Sequence, residues 1–414
     1  ILRCDCAEYP VVAGIPIILA PRGPGARMPV RALCRMIRAG EYDRALQTAA
    51  ESSLTRPTRG FRGSLRDRIQ GAFAPGGRKR LPAIDRWVEQ SAVTLLERRF
   101  PGPGALNREI RDYFVFRPGH AEHVAAMGLA SVIRADDAPV LDLGAGAGHM
   151  AAHFCAAGIP VAAIDQDFFL LLIGRLIVAP QACFVCCNLE EGLPFADQHF
   201  GATICVNTFH FVRNKAHLLG SLGRVLRQGS PLFFCALRQS HNPGAFRNFA
   251  LPPSGYARLF EEFEPRFFST DDVVDRYLDG GGPRPGDARV PDDLLRATFV
   301  EIAGHNGGHH RAGRSFDQWP HALGTLGVNP VYQPVPSGDQ PGIQLRLSPP
   351  SELFAADSRH LLERLPAETY LAPEILEDLE AGRRSDAMQD LIRSMVLVQL
   401  PPGYSGQVEH NGPA

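Results

Sequence analysis

The sequence predicts an α/β protein built on a doubly wound, mostly parallel sheet. Three observations carry that reading. An apolar run, Pro139-Val140-Leu141, ends in Asp142 and is followed by glycines on alternate positions, Gly144, Gly146 and Gly148. From there, strand-length apolar runs alternate with helix-length segments up to residue 237, and such alternation builds parallel sheets. The second of those runs, residues 161–164, ends in Asp165, roughly twenty residues beyond the glycine turn, where an acid can meet a ribose.

The elements follow in order. Apolar spacing over residues 28–50 (Val30, Leu33, Ile37, then Tyr42 and Leu46) predicts two short helices split at Gly40. Residues 56–86 are rich in Arg, Gly and Pro, with Arg78-Lys79-Arg80 at their centre; lacking an aromatic ladder, they read as a solvated connector. Residues 106–133 lead into the sheet. Tyr113 and Arg117 could touch a ligand there, while Phe114 and Phe116 read as packing residues. Strand 139–142 passes through the glycine turn into a helix over 150–157, opened by His149. The following strands are 161–164, 183–187 and 202–206, ending at Asp165, Asn188-Leu189 and Asn207, with helices over 168–178 and 215–227. Strand 231–237 follows Gly229, and an insertion over about 241–291 precedes a returning strand, 295–303. Beyond it, residues 305–400 read as a small α+β extension: a β pair from 327–332 and 342–347, helices over 351–364 and 373–388, and an apolar end at 392–400. Residues 401–414 read as a disordered tail.

The glycine turn indicates its ligand. A strand that stops at glycines and feeds a helix offers free N–H groups and close backbone approach. A dinucleotide fingerprint would place its third glycine at position 149, which is His149. The pattern present, D-x-G-x-G-x-G, resembles motif I of class I S-adenosylmethionine-dependent methyltransferases. Leu193-Pro194-Phe195 before Asp197 and Phe200 is similar to that family's run before its fourth strand. The resemblance implies a Rossmann-like, seven-stranded sheet over residues 106–304, with S-adenosylmethionine as cofactor. It further implies that Asp142 and the loop Gly144, Ala145, Gly146 and Gly148 hold the methionine portion. Asp165, with Gln166 beside it, would hold the ribose, and Asn188 with Leu189 the adenine; the family usually has Asp where Asn188 stands. Asn207 and His210 would face the place of methyl transfer, with His210 as candidate base and His241 behind it.

Residues 1–20 resemble the closing half of a small zinc-ribbon module, such as that of the short activator proteins of translation-related methyltransferases. A structural zinc needs four ligands, and only Cys4 and Cys6 stand here, so no bound metal is expected. The chain begins at Ile1 rather than Met, which reads as a trimmed end. Residues 21–105 form a helical and Arg-rich connector.

Composition narrows the partners. A formal net charge of −1 over 414 residues supplies no global basic field for nucleic acid. No run is long and apolar enough to span a membrane, and residues 9–20, broken by Pro10, Gly14 and Pro16, do not form a signal peptide. Nine cysteines fit a reducing, cytoplasmic setting. Cys183 and Cys186 form a C-x-x-C on a strand, where their offset sends the side chains to opposite faces. His305, His309 and His310 lie among glycines and read as a flexible loop rather than a metal site. No pattern sets an oligomeric state. The expected activity is methyl transfer to an O or N atom of a small-molecule or glycan-precursor acceptor. The alternatives are an RNA methyltransferase, suggested by the zinc-ribbon fragment and residues 56–86, and a catalytically silent scaffold.

Overall fold

The computed structural model describes residues 1–5, 7–20, 28–54, 92–99, 114–240, 249–316, 325–336 and 341–400. A hairpin of β1 (Leu2–Arg3) and β2 (Glu8–Tyr9) begins the chain, followed by β3 (Val11–Val12) and β4 (Ile15–Ile18). The glycine turn follows β5 (Val140–Leu143), and β6 (Val161–Asp165), β7 (Cys183–Cys187), β8 (Ala202–Val206) and β9 (Pro231–Arg238) continue the alternation. β10 (Arg266–Ser269) and β11 (Phe299–His305) complete the main sheet.

The sheet has nine strands in the order β10-β11-β9-β8-β5-β6-β7-β4-β3. The expected seven run from β7 to β10, and the N-terminal segment adds two: β4 lies parallel to β7, with Ile17 opposite Cys186. β5 through β9 pair in parallel, while β11 runs antiparallel to both β9 and β10. β10 corrects a second expectation, because it lies inside the stretch 241–291 read as an insertion. The final strand also runs to His305, two residues further than predicted and past the expected domain boundary at 304.

Strands β5, β8 and β9 are buried along their whole length, as a sheet covered on both faces requires. Their side chains alternate between two cores. Leu141 and Leu143 pack on the side of helix Lys215–Val225, with Leu218 and Leu222. Val140 packs on the other, with helices Ala121–Ala130 and Phe168–Ile173. The two predicted N-terminal helices form, at Val30–Arg38 and Tyr42–Leu54, and the second packs on helix Phe168–Ile173. Residues 56–86, Tyr113, His241 and 401–414 lie outside the described residues.

The C-terminal extension is α+β as predicted, with different pairings. β12 (Thr325–Val328) pairs with β16 (Leu397–Leu400), while β13 (Tyr332–Val335) pairs with β14 (Ile343–Leu347), which also takes β15 (Glu368–Leu371). The β14 segment therefore meets the end of the predicted 327–332 partner, at Tyr332, and the residues just after it. Among the described residues no helix is long and apolar enough to cross a membrane.

One buried acid shapes the β9–β11 ladder. The register shifts between Val300 and Ile302, and opposite the shift Ala236 adopts a left-handed φ of 54°. The Ala236 N–H, turned from the ladder, donates to Glu301 Oε2 at 2.8 Å, and Thr270 Oγ1 donates to Oε1 at 2.7 Å. Burial pushes the Glu301 carboxyl up to about 7, against those two hydrogen bonds. Its folded value thus lies above the ordinary 4.5, so the folded state binds the extra proton and stability from this group falls as pH rises between those values. Glu301→Gln should therefore gain stability relative to the native chain between pH 5 and 7.5, by roughly 1–3 kcal/mol. Chemical denaturation at both pH values checks this; a pH-independent difference contradicts it.

Candidate functional site

The glycine turn is fixed by its own amides. The N–H groups of Gly144 and Ala145 both donate to the Ile164 carbonyl, at 2.8 and 3.0 Å, which ties the loop to β6. The Gly146 N–H donates to Asp165 Oδ2 at 3.1 Å, and the Asp167 N–H donates to Oδ1 at 2.8 Å. The acid predicted for the ribose therefore stands against the loop predicted for the methionine. Gly144, Gly146 and Gly148 all have left-handed φ, at 69°, 54° and 76°, and Gly148 caps helix His149–Ala156. Gly144 is also a steric requirement: a Cβ there would lie 2.3–2.7 Å from three Thr208 side-chain atoms. The Phe114 ring reaches over Gly146 and stacks on His149, with centroids 5.9 Å apart.

Asp142 lies beneath this loop and is 2% exposed. Its Oδ2 is buried without a hydrogen-bond partner. Burial raises its carboxyl to about 7; the Arg117 charge opposes that rise and the Asp165 charge adds to it. An unmatched buried acceptor is costly, and a cationic or N–H donor from a bound ligand would satisfy it. Gly144, Ala145, Gly146 and Asp165 are partly exposed, as a ligand-facing edge must be. Gln166 is exposed at the same strand tip.

Asn188 has a local structural role. Its Oδ1 accepts from the Glu190 N–H at 3.1 Å and its Nδ2 donates to Glu191 at 3.1 Å, so it caps the short turn Leu189–Glu191, in which Leu189 is buried. Asn207, at the tip of β8, has a left-handed φ of 51° and donates from Nδ2 to Glu122 Oε2 at 3.0 Å.

His210 is fully buried, and neither ring nitrogen has a hydrogen-bond partner. Burial, then the Arg238 and Lys215 charges, push it down to about 3. This corrects the expected role: a neutral imidazole can accept a hydrogen bond near neutral pH, but one so hard to protonate is a weak base. His305 also departs from its predicted loop. It ends β11, is 2% exposed and accepts the Gly308 N–H at Nδ1, at 2.7 Å. The C-x-x-C reading holds, with Cys183 exposed and Cys186 buried. Cys4 is exposed and donates to the Ala7 carbonyl, while Cys6 lies outside the described residues.

A polar group that sequence reasoning missed lies beside Asn207. Glu122 is 1% exposed, and burial raises its carboxyl to about 8. Around it stand His120, Arg238 and Asp357. The available signal was the helix composition: apart from Glu122 and His123, residues 121–130 are apolar on every side, so the helix had to be buried together with its glutamate. Among the described residues, His120, Glu122 and Asp357 alone bring three metal-ligating side chains together. The Arg238 guanidinium already stands between the two carboxylates, 4.0 Å from Glu122 and 3.0 Å from Asp357, so the protein supplies its own cation there.

Residues 141–234 match a family described as a methyltransferase domain. The glycine turn, its acid and the strand tips all fall inside that match. Over those residues the chain is similar to methyltransferase domains. The partnerless Asp142 oxygen, the glycine cradle and the adjoining Asp165 are chemically suited to S-adenosylmethionine. An uncharacterized protein of Mycobacterium tuberculosis is 30% identical over 175 residues, covering 41% of this chain and 56% of that relative. A protein of Mycobacterium bovis matches to the same extent, so the chain spans about half the length of the curated relatives it matches. Two solved structures are similar in fold. A SAM-dependent methyltransferase of Thermotoga maritima is 17% identical with a TM-score of 0.34, covering 51% of this chain and 98% of its own. A Haemonchus contortus phosphoethanolamine N-methyltransferase, in complex with S-adenosylhomocysteine, is 12% identical with a TM-score of 0.32, covering 40% and 48%.

Gly144→Ala should destabilise the methyltransferase domain by about 2–4 kcal/mol, because it combines a left-handed backbone with overpacking against Thr208. Thermal or denaturant unfolding measures this; a loss below about 0.5 kcal/mol, the level of an ordinary surface change, contradicts the steric reading.

Proposed function

We propose that the protein is an S-adenosylmethionine-dependent methyltransferase acting on an O or N atom of a small-molecule or glycan-precursor acceptor. The observation that carries the reading is the hydrogen bond between the Gly146 amide and Asp165. It sets the methionine-holding loop and the ribose-holding acid side by side, above a buried carboxyl with one oxygen, Asp142 Oδ2, that has no hydrogen-bond partner.

The cofactor supplies a methyl on a sulfonium, already an activated leaving group, so the protein's tasks are alignment and exclusion of water. Asp142 and the loop Gly144–Gly148 hold the methionine end. Asp165 and Gln166 take the ribose, and Asn188 with Leu189 borders the adenine. Asn207 lies on the acceptor side, where His210 offers a neutral ring nitrogen as hydrogen-bond acceptor. Phe114 over the loop keeps water from the methionine side. A compact acceptor fits the near-zero net charge and the way the C-terminal extension meets the end of β9 through Asp357 and Arg238, with Phe354 edge-on to His120 at 4.7 Å.

Asp165→Ala should weaken S-adenosylmethionine binding by about 1–3 kcal/mol through lost charged hydrogen bonds. Calorimetry measures it, and unchanged affinity removes the ribose assignment. Incubating a cell extract with methyl-labelled cofactor and the full chain tests the acceptor class. Label should enter the metabolite or lipid-glycan fraction, and label confined to RNA or protein overturns that part.

A further inference from the structure

A file of buried contacts leads from the C-terminal extension to Asn207. Asp357 ends helix Glu352–Asp357 and places Oδ2 3.0 Å from Arg238 Nη2. That nitrogen lies 4.0 Å from Glu122 Oε1, and Glu122 Oε2 accepts from Asn207 Nδ2 at 3.0 Å. The Asp357, Arg238 and Glu122 side chains are 10%, 7% and 2% exposed, so solvent screens these charges little. The extension is pinned at this point, because Ser358 Oγ accepts the Ala121 N–H at 3.2 Å.

We propose that Asp357 is a positioning residue for methyl transfer, acting through Arg238 and Glu122 on the Asn207 amide. The inference rests on the reading of Asn207 as an acceptor-side residue.

The electrostatics run as follows. One guanidinium serves two carboxyl groups, and the shorter contact goes to Asp357. Glu122 therefore feels burial most strongly. The Arg238 charge opposes that effect, the Asp357 charge adds to it, Arg117 opposes it and Glu301 adds to it; His120, also against Glu122, is held neutral by its own burial. The result is a carboxyl at about 8, protonated through most of the neutral range. Removing the Asp357 charge takes away one repulsion and releases Arg238 toward Glu122, and both changes favour the ionised carboxylate. Asn207 donates to that carboxyl, so its amide reports which form is present.

The test uses the full chain with nitrogen-labelled asparagine, following the Asn207 side-chain amide by NMR, its signal assigned by its loss in Asn207→Ser. In the native chain the signal should titrate with a midpoint near 8. It should not titrate through that range in Glu122→Gln. In Asp357→Asn the midpoint should fall by about one unit, and Asp357→Glu, which keeps the charge, should restore it. Calorimetric binding of S-adenosylmethionine should be unchanged in Asp357→Asn while methyl incorporation into extract falls severalfold. An unmoved midpoint in a folded Asp357→Asn, or no titration in the native chain, overturns the proposal. Should Asp357→Asn fail to fold, Asp357→Ser, which also removes the charge, should lower the midpoint in the same way, and an unmoved midpoint in that folded variant overturns the proposal. A native chain that binds no S-adenosylmethionine defeats the functional reading, whereas the titration separately decides whether Asp357 reaches Asn207.

Discussion

The hydrogen bond from the Gly146 amide to Asp165 fastens the glycine turn to the acid at the tip of β6, beside the paired strands β5 and β6. It forms only because the loop turns back on itself. Three glycines take left-handed conformations, and two successive amides find the same carbonyl at the end of β6. The turn then delivers the chain into helix His149–Ala156 with its first N–H groups at the same edge. The site thus follows from backbone geometry that few other residues could adopt.

Much of this was legible in the sequence because the relevant segments are locally consistent. Strands 183–187 and 202–206 form over the predicted residues, being short apolar runs closed by turn-forming Asn188 and Asn207. What escaped prediction depends on distant partners. β4 reads as part of a separate small module, yet it completes the sheet edge beside β7, a pairing no local pattern encodes. β10 carries only Phe267 and Phe268 as buried apolar residues in a charged stretch, so its strand character comes from β11. In the extension, β12 takes β16 across a long separation, so only the end of the predicted 327–332 run, Tyr332, pairs with the nearer 342–347 segment.

The cofactor side was more legible than the acceptor side for a physical reason. Glycines and strand-end acids mark the first directly, whereas the proposed acceptor side is assembled from residues far apart in sequence: Glu122, Asn207, Arg238 and Asp357. A shared guanidinium between two buried carboxyls recovers its desolvation cost only if the geometry is held, and loss of one partner strands the others. Phe354 and Ser358 of the extension hold it. The extension is thereby tied to the buried polar group around Glu122 and Arg238. His210, which looked like a base from its place after β8, is instead a neutral ring in the same buried region.

Hydrogen–deuterium exchange of the full chain, with and without saturating S-adenosylmethionine, tests the central claim most directly. The account predicts joint slowing of exchange in the glycine turn and at the tip of β6, because one ligand bridges both. Slowing at neither segment, or confined to residues remote from them, would contradict it.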